Sequence, residues 1–146
     1  MNWLPRETVV VPFDFSDDAV RALETAREMV ADPSHLHVIH VLTPLEVADP
    51  GVIWETIDDG VRIKHAADAL KQELDKAGIG EQSVSKTRIG DPGHEIVAYA
   101  EEVDAGLIVV ASHGQSALMH LLLGSVAERV VRLAHCPVLV LKKPRK

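Results

Sequence analysis

The sequence predicts an α/β fold, a five-stranded parallel sheet with helices on both faces, and three observations carry that prediction. Short apolar runs rich in β-branched residues alternate, from Thr8 to Leu141, with stretches whose apolar residues recur at helical spacing. The apolar residues are mostly Val, Leu, Ala and Ile, and only 3% of the chain is aromatic, which suits strands covered on both sides. At 146 residues the chain has the size of one domain and can bury about 68–70% of its unfolded surface. No linker, repeat or low-complexity segment divides residues 1–146.

The elements follow in order. Thr8 to Asp14 opens as a continuous β-branched run and ends in polar residues, as a strand buried on both faces does. Ser16 is placed to cap the next helix, with Asp17 and Asp18 in the first turn, where the helix dipole favours negative charge. Ala19, Leu23, Ala26 and Val30 supply its inner face, and Asp32-Pro33 ends it before a second strand, Leu36 to Leu42. Thr43 to Gly51 reads as a loop. A long helix from Val52 to Ala77 is expected to turn Ile53, Ile57, Val61, Ala66, Leu70 and Leu74 inward, and Gly78 and Gly80 close it. Ser83 to Ile89 alternates polar residues and reads as an edge strand. Asp91-Pro92 opens a helix as N-cap and first-position proline, with Ile96, Val97 and Ala100 facing in. Leu107 to Ala111 is the fourth strand; a glycine-bearing loop, a helix through Leu133 and a fifth strand, Val138 to Leu141, complete a Rossmann-like domain with right-handed crossovers.

Charge and composition exclude several function classes. The formal net charge of -7 repels a nucleic-acid backbone, and the basic tail at 142–146, Lys142-Lys143-Pro144-Arg145-Lys146, reads as a solvated end. Cys136 is the single cysteine, so no internal disulfide forms; before Pro137 and an apolar run it reads as a buried structural thiol. No run approaches the ~18 apolar residues of a membrane span, and Met1 to Phe15 lacks a basic start followed by an apolar core, so a cytoplasmic protein without a membrane partner is expected.

In an open parallel sheet, ligands bind beyond the carboxyl ends of the strands, where the strand order reverses. The first strand ends in Val11-Pro12-Phe13-Asp14-Phe15-Ser16, which brings a carboxylate to the tip; Asp14 reads equally as a ligand contact or a turn-forming acceptor. The fourth ends in Ala111-Ser112-His113-Gly114, and after nine intervening residues Gly124-Ser125 precedes a helix. There, backbone N–H groups, a hydroxyl and the helix dipole suit an anion, although Gly-Ser before an apolar helix is also an ordinary turn and cap. Leu121-Leu122-Leu123 reads as core packing. His113 is placed to donate to a phosphate or to orient its loop, and His35 and His37 read as an exposed pair on one strand face without a third metal ligand. No metal site is expected.

These residues carry a resemblance. Ser112-His113-Gly114, then Leu-Leu-Leu-Gly-Ser-Val-Ala-Glu-Arg-Val and Cys-Pro-Val-Leu-Val, together with Pro-Phe-Asp-Phe-Ser, His40-Val41 and Gly90-Asp91-Pro92, are similar to the universal stress protein family over nearly the whole chain. Its nucleotide-binding branch has the signature Gly-x2-Gly-x9-Gly-Ser/Thr; Gly114, Gly124 and Ser125 match, whereas Ala111 stands where the first glycine is expected. The resemblance implies adenine held by Asp14 and the backbone of Val41, ribose near Pro12 and Ala111, and phosphates at Gly114, Gly124, Ser125 and Val126. It also implies a homodimer through the C-terminal strand, with an unidentified protein partner as a further possibility.

The leading expectation is a regulatory stress-response protein that binds ATP or another adenine nucleotide with a divalent ion, Mg or Mn, and acts by binding rather than catalysis. A dimeric member acting through protein contacts without nucleotide is the alternative kept open by Ala111. An ATP-hydrolysing enzyme comes third, because the chain has no Walker lysine motif and no Ser-Gly-Gly pyrophosphate loop.

Overall fold

The computed structural model describes residues 2–45, 58–113 and 123–143. Its five strands are β1 (Val9–Pro12), β2 (Leu36–Leu42), β3 (Val84–Ile89), β4 (Leu107–Ala111) and β5 (Val138–Leu141). Between them lie α1 (Asp17–Met29), α2 (Asp59–Lys76), α3 (Pro92–Glu102) and α4 (Ser125–Leu133). All neighbouring strands pair in parallel, in the order β3-β2-β1-β4-β5. The chain therefore winds outward from β1 to β3 and then crosses to the far side of β1 to begin β4.

Successive strand residues face opposite sides of a sheet, and the two cores follow that alternation. Val9, Val11, Val38, Leu107 and Val109 pack with Ala22, Leu23 and Ala26 of α1 and Leu70 and Leu74 of α2. Val10, Ile39, Ile108 and Val110 pack on the other face with Ile96, Tyr99 and Ala100 of α3 and Ala127 and Val130 of α4. A run such as Val9-Val10-Val11 is continuously apolar because each residue meets a helix layer, whichever way it points.

The helix starts obey the expected chemistry. Ser16 Oγ accepts from Ala19 N–H at 3.1 Å, and Asp91 accepts from His94 N–H at 3.1 Å with Pro92 in the first turn. β3 lies at one edge of the sheet, as its polar alternation predicts, and β5 lies at the other. Ile53 and Ile57, and the start of the helix expected from Val52, lie outside the described residues.

Three particulars differ from expectation. Val61 is exposed; it sits about 13 Å before Leu70 along the helix axis, and only the later turns of α2 reach the core. His35 and His37 are not a matched exposed pair: His35 falls in a 3₁₀ turn, Pro33–His35, while His37 is half-buried in β2. The reason is α3, whose Tyr99 packs over β2 and brings its hydroxyl to 2.8 Å from His37 Nδ1. Cys136 is half-buried against the α3/α4 core rather than fully enclosed, and burial pushes its thiol pKa up.

Candidate functional site

The order reverses between β1 and β4, and there the sheet opens. β1 pairs with β4 at Val9–Leu107 and Val10–Ile108, whereas its ladder with β2 continues to Pro12–Ile39 and that of β4 with β5 to Ala111–Leu141. The last residues of β1 and β4 thus diverge, which forms the crevice in which doubly wound sheets bind ligands.

On the β1 side, Asp14 Oδ1 accepts from the Ser16 backbone N–H at 3.0 Å and from Ser16 Oγ at 2.5 Å. Ser16 Oγ passes the chain of bonds on to the first turn of α1 through Ala19 N–H. Asp14 therefore builds the β1–α1 turn, one of the two roles open to it from sequence, and it stands half-buried at the strand tip. The residue between them, Phe15, has φ +67°, a left-handed conformation that costs a side chain roughly 1–2 kcal/mol. Phe13 N–H donates to Ile39 O at 2.8 Å, and the Phe13 carbonyl lies 2.7 Å from His40 Nδ1.

On the β4 side, Ser112 is the junction. Its N–H donates to Leu141 O at 2.8 Å, its carbonyl accepts from Gly124 N–H at 2.6 Å, and its Oγ lies 3.2 Å from His113 Nδ1. Among the described residues Ser112 is also the one classed as buried and polar, only 2% exposed. Gly124 is the N-cap of α4 at φ -70°, so a left-handed backbone is not what requires glycine. Space is: a Cβ there would lie 3.1 Å from Ser112 O and 3.5 Å from His113 Cα.

Gly124, as N-cap, brings no side chain to bond the first-turn N–H groups of α4, which stand at the positive end of the helix dipole with Glu128 in the same turn. A second tie fixes the same helix. Arg129 Nη1 donates to Asp91 Oδ1 at 2.7 Å, and the Arg129 stem crosses Gly93 so closely that a Cβ on Gly93 would come within 2.6 Å of it. Hydrogen bonds from the His94 ring and backbone, with help from Arg129, hold the Asp91 carboxyl at about 2.

The residues singled out from sequence therefore share one end of the sheet. Pro12 and Asp14 end β1, Val41 lies near the end of β2, Ala111 and His113 end β4, and Gly124, Ser125 and Val126 start α4. Of these, His113 and Gly124 are brought together directly, through Ser112. Gly114, with the residues up to Leu122, lies outside the described residues. Leu123 packs against the α3/α4 core, in keeping with its apolar reading. Sequence reasoning assigned no role to Ser112, Phe15 or His40. A serine directly after five apolar strand residues was a signal for the first; nothing local marked the other two.

A separate hollow of about 170 Å³ lies at the opposite end of the sheet, lined in part by Val97, Ala105, Ile108, Ala134 and Cys136. It contains none of the candidate site residues.

The model of the universal stress protein family matches residues 5–142. The universal stress protein MJ0531 of Methanocaldococcus jannaschii is 38% identical over 143 aligned residues, spanning 94% of this chain and 83% of the relative. Among solved structures, MJ0577 of the same archaeon has a TM-score of 0.77 at 27% identity, over 98% of this chain and 100% of that one. A universal stress protein in complex with cAMP has a TM-score of 0.69 at 27% identity, over 94% and 97% of the two chains. Matched along nearly its full length in sequence and in fold, this chain belongs to the universal stress protein family.

Proposed function

We propose that this protein binds an adenine nucleotide, ATP or a close relative, in the crevice between β1 and β4, and that it acts as a dimeric regulatory protein of the stress response rather than as a catalyst. The observation that carries the reading is Gly124 at the start of α4, bonded to the Ser112 carbonyl so closely that a Cβ would crowd it, and bringing no side chain of its own to the first-turn N–H groups. Backbone N–H groups at such a helix start favour phosphate by hydrogen bonding and by the dipole together. The phosphates would meet Gly114, Gly124, Ser125 and Val126, with His113 beside them. The base would lie toward Asp14 and the Val41 backbone, with Pro12 and Ala111 along the ribose. The neighbour solved with cAMP supports a ligand of this class.

A divalent ion, Mg or Mn, would come with the phosphates. Among the described residues no group of three or more His, Cys, Asp or Glu side chains is placed to hold a metal, so its ligands would be largely phosphate oxygens and water. Among the described residues, too, no helix is long and apolar enough to cross a membrane. A cytoplasmic protein is the setting proposed.

The test is direct. Protein purified without added nucleotide is denatured, and the released small molecules are identified by mass spectrometry; an adenine nucleotide near one per chain is expected. Its absence, together with no heat of binding on titration with ATP, would leave the family's dimeric fold acting through protein contacts alone.

A further inference from the structure

Phe15 holds a conformation that glycine adopts freely and phenylalanine does not. Among the described residues only Phe15 and Asp104 combine a side chain with positive φ. A turn that had merely to join β1 to α1 would be met by glycine at this position, so the ring itself needs an explanation.

Its surroundings supply one. The Phe15 ring meets the Phe13 ring edge-to-face, with centroids 5.2 Å apart and planes at 77°, and meets the His40 ring likewise at 4.9 Å and 73°. Perpendicular contacts of this kind place the positive edge of one ring on the negative face of the next. His40 is itself anchored: a carbonyl only accepts, so at 2.7 Å from Phe13 O its Nδ1 carries the proton. Phe13 N–H is bonded to Ile39 O, one residue before His40. Three rings and two hydrogen bonds thus close a loop across the ends of β1 and β2. The residue inside that loop is Asp14, whose own carboxylate is tied to Ser16.

We infer that Phe15 and His40 are positioning residues for the base end of the nucleotide site, acting through the backbone of the β1–α1 turn to hold the Asp14 carboxylate where an N–H donor of a heterocycle meets it. The inference rests on the proposed nucleotide reading and adds what sets its base-binding half. Pre-organisation explains why a strained residue is kept: a turn already ordered loses less freedom when the ligand arrives. The phosphate end is held separately, by Ser112 and Arg129, so the two halves respond to different substitutions.

The experiment is calorimetric titration of wild type, Phe15→Gly, Phe15→Tyr and His40→Phe with ATP and, separately, with inorganic triphosphate, beside thermal unfolding without ligand. Phe15→Gly relieves the backbone but removes a ring packed on the core, so the unfolding curve selects conditions in which it is folded; there its dissociation constant for ATP should rise about tenfold while that for triphosphate moves less than about twofold. Phe15→Tyr restores the ring and should return ATP binding to within about threefold of wild type. His40→Phe keeps a ring but loses the bond to Phe13 O and should fall between the two. Unchanged ATP affinity in Phe15→Gly, or equal losses for ATP and triphosphate, overturns the inference while leaving the nucleotide site in place. A wild-type protein that binds triphosphate no more weakly than ATP overturns the adenine reading itself, and this inference with it.

Discussion

The Gly124 N–H donates to the Ser112 carbonyl at 2.6 Å, which joins the start of α4 to the end of β4 without any side chain between them. Replacing Gly124 by Val places a branched side chain against a carbonyl that an added Cβ alone would approach to 3.1 Å. The helix start must move, and the dissociation constant for ATP is expected to rise by about tenfold or more. Ser125→Ala removes one exposed hydroxyl and should cost only about two- to fivefold. Titration calorimetry on both folded variants ranks them; wild-type binding by both would move the phosphate cradle elsewhere.

Ala111 pairs with Leu141 in the ladder and is not among the residues of positive φ, so its backbone is one that alanine adopts without strain. What glycine would add there is room. Ala111→Gly is expected to tighten ATP binding several-fold with the fold intact, each tenfold step corresponding to ~1.4 kcal/mol. Calorimetric titration decides it, and equal or weaker binding by the glycine variant would show that Ala111 does not limit the site.

β5 is an edge strand, and its hydrogen-bonding directions are set by its neighbour. The Pro137 and Leu141 carbonyls accept from Ile108 and Ser112 of the β4 segment, so the backbone groups of Val138 and Val140 point outward from the sheet. A half-buried apolar strand with outward donors invites pairing with a second copy. Sedimentation at micromolar concentration is expected to give twice the chain mass, and Val140→Pro, which deletes one outward N–H without cutting the ladder to β4, should shift the equilibrium toward monomer. A monomeric wild type at that concentration would end the idea.

His37 gives a pH dependence of stability. Burial, and secondarily the charge of His35, lower its pKa below the ordinary 6.5. The unfolded chain therefore binds the proton at higher pH than the folded one, and the associated stability is present above about 6.5 and declines as pH falls toward the lowered folded value. His37→Gln should lose that part of the decline. Melting temperatures of both proteins between about pH 7 and pH 5 provide the check, and parallel curves would count against it.

Much of the fold was legible from local chemistry. Val9-Val10-Val11, Ser16 before Asp17-Asp18, and Asp91-Pro92 each state an element or a boundary through periodicity, capping or a missing N–H, and each lies where those rules put it. The candidate site was legible as a set of strand and helix ends sharing one side of the sheet, because a parallel sheet brings all of its carboxyl ends to one side. Even the polar alternation of Ser83 to Ile89 announced an edge.

The tertiary structure decided what depends on partners distant in sequence. Ser112 gained its role from Leu141 and Gly124, His37 from Tyr99, 62 residues away, and Phe15 from Phe13 and His40. A residue type and its immediate neighbours report intrinsic preference; which way a half-buried ring or hydroxyl turns is settled by the groups that packing brings within a few ångströms. Thus a chain pattern alone could name Asp14 and Gly124, while only the packed sheet could show that one closes a strained turn and the other touches the backbone of β4's end.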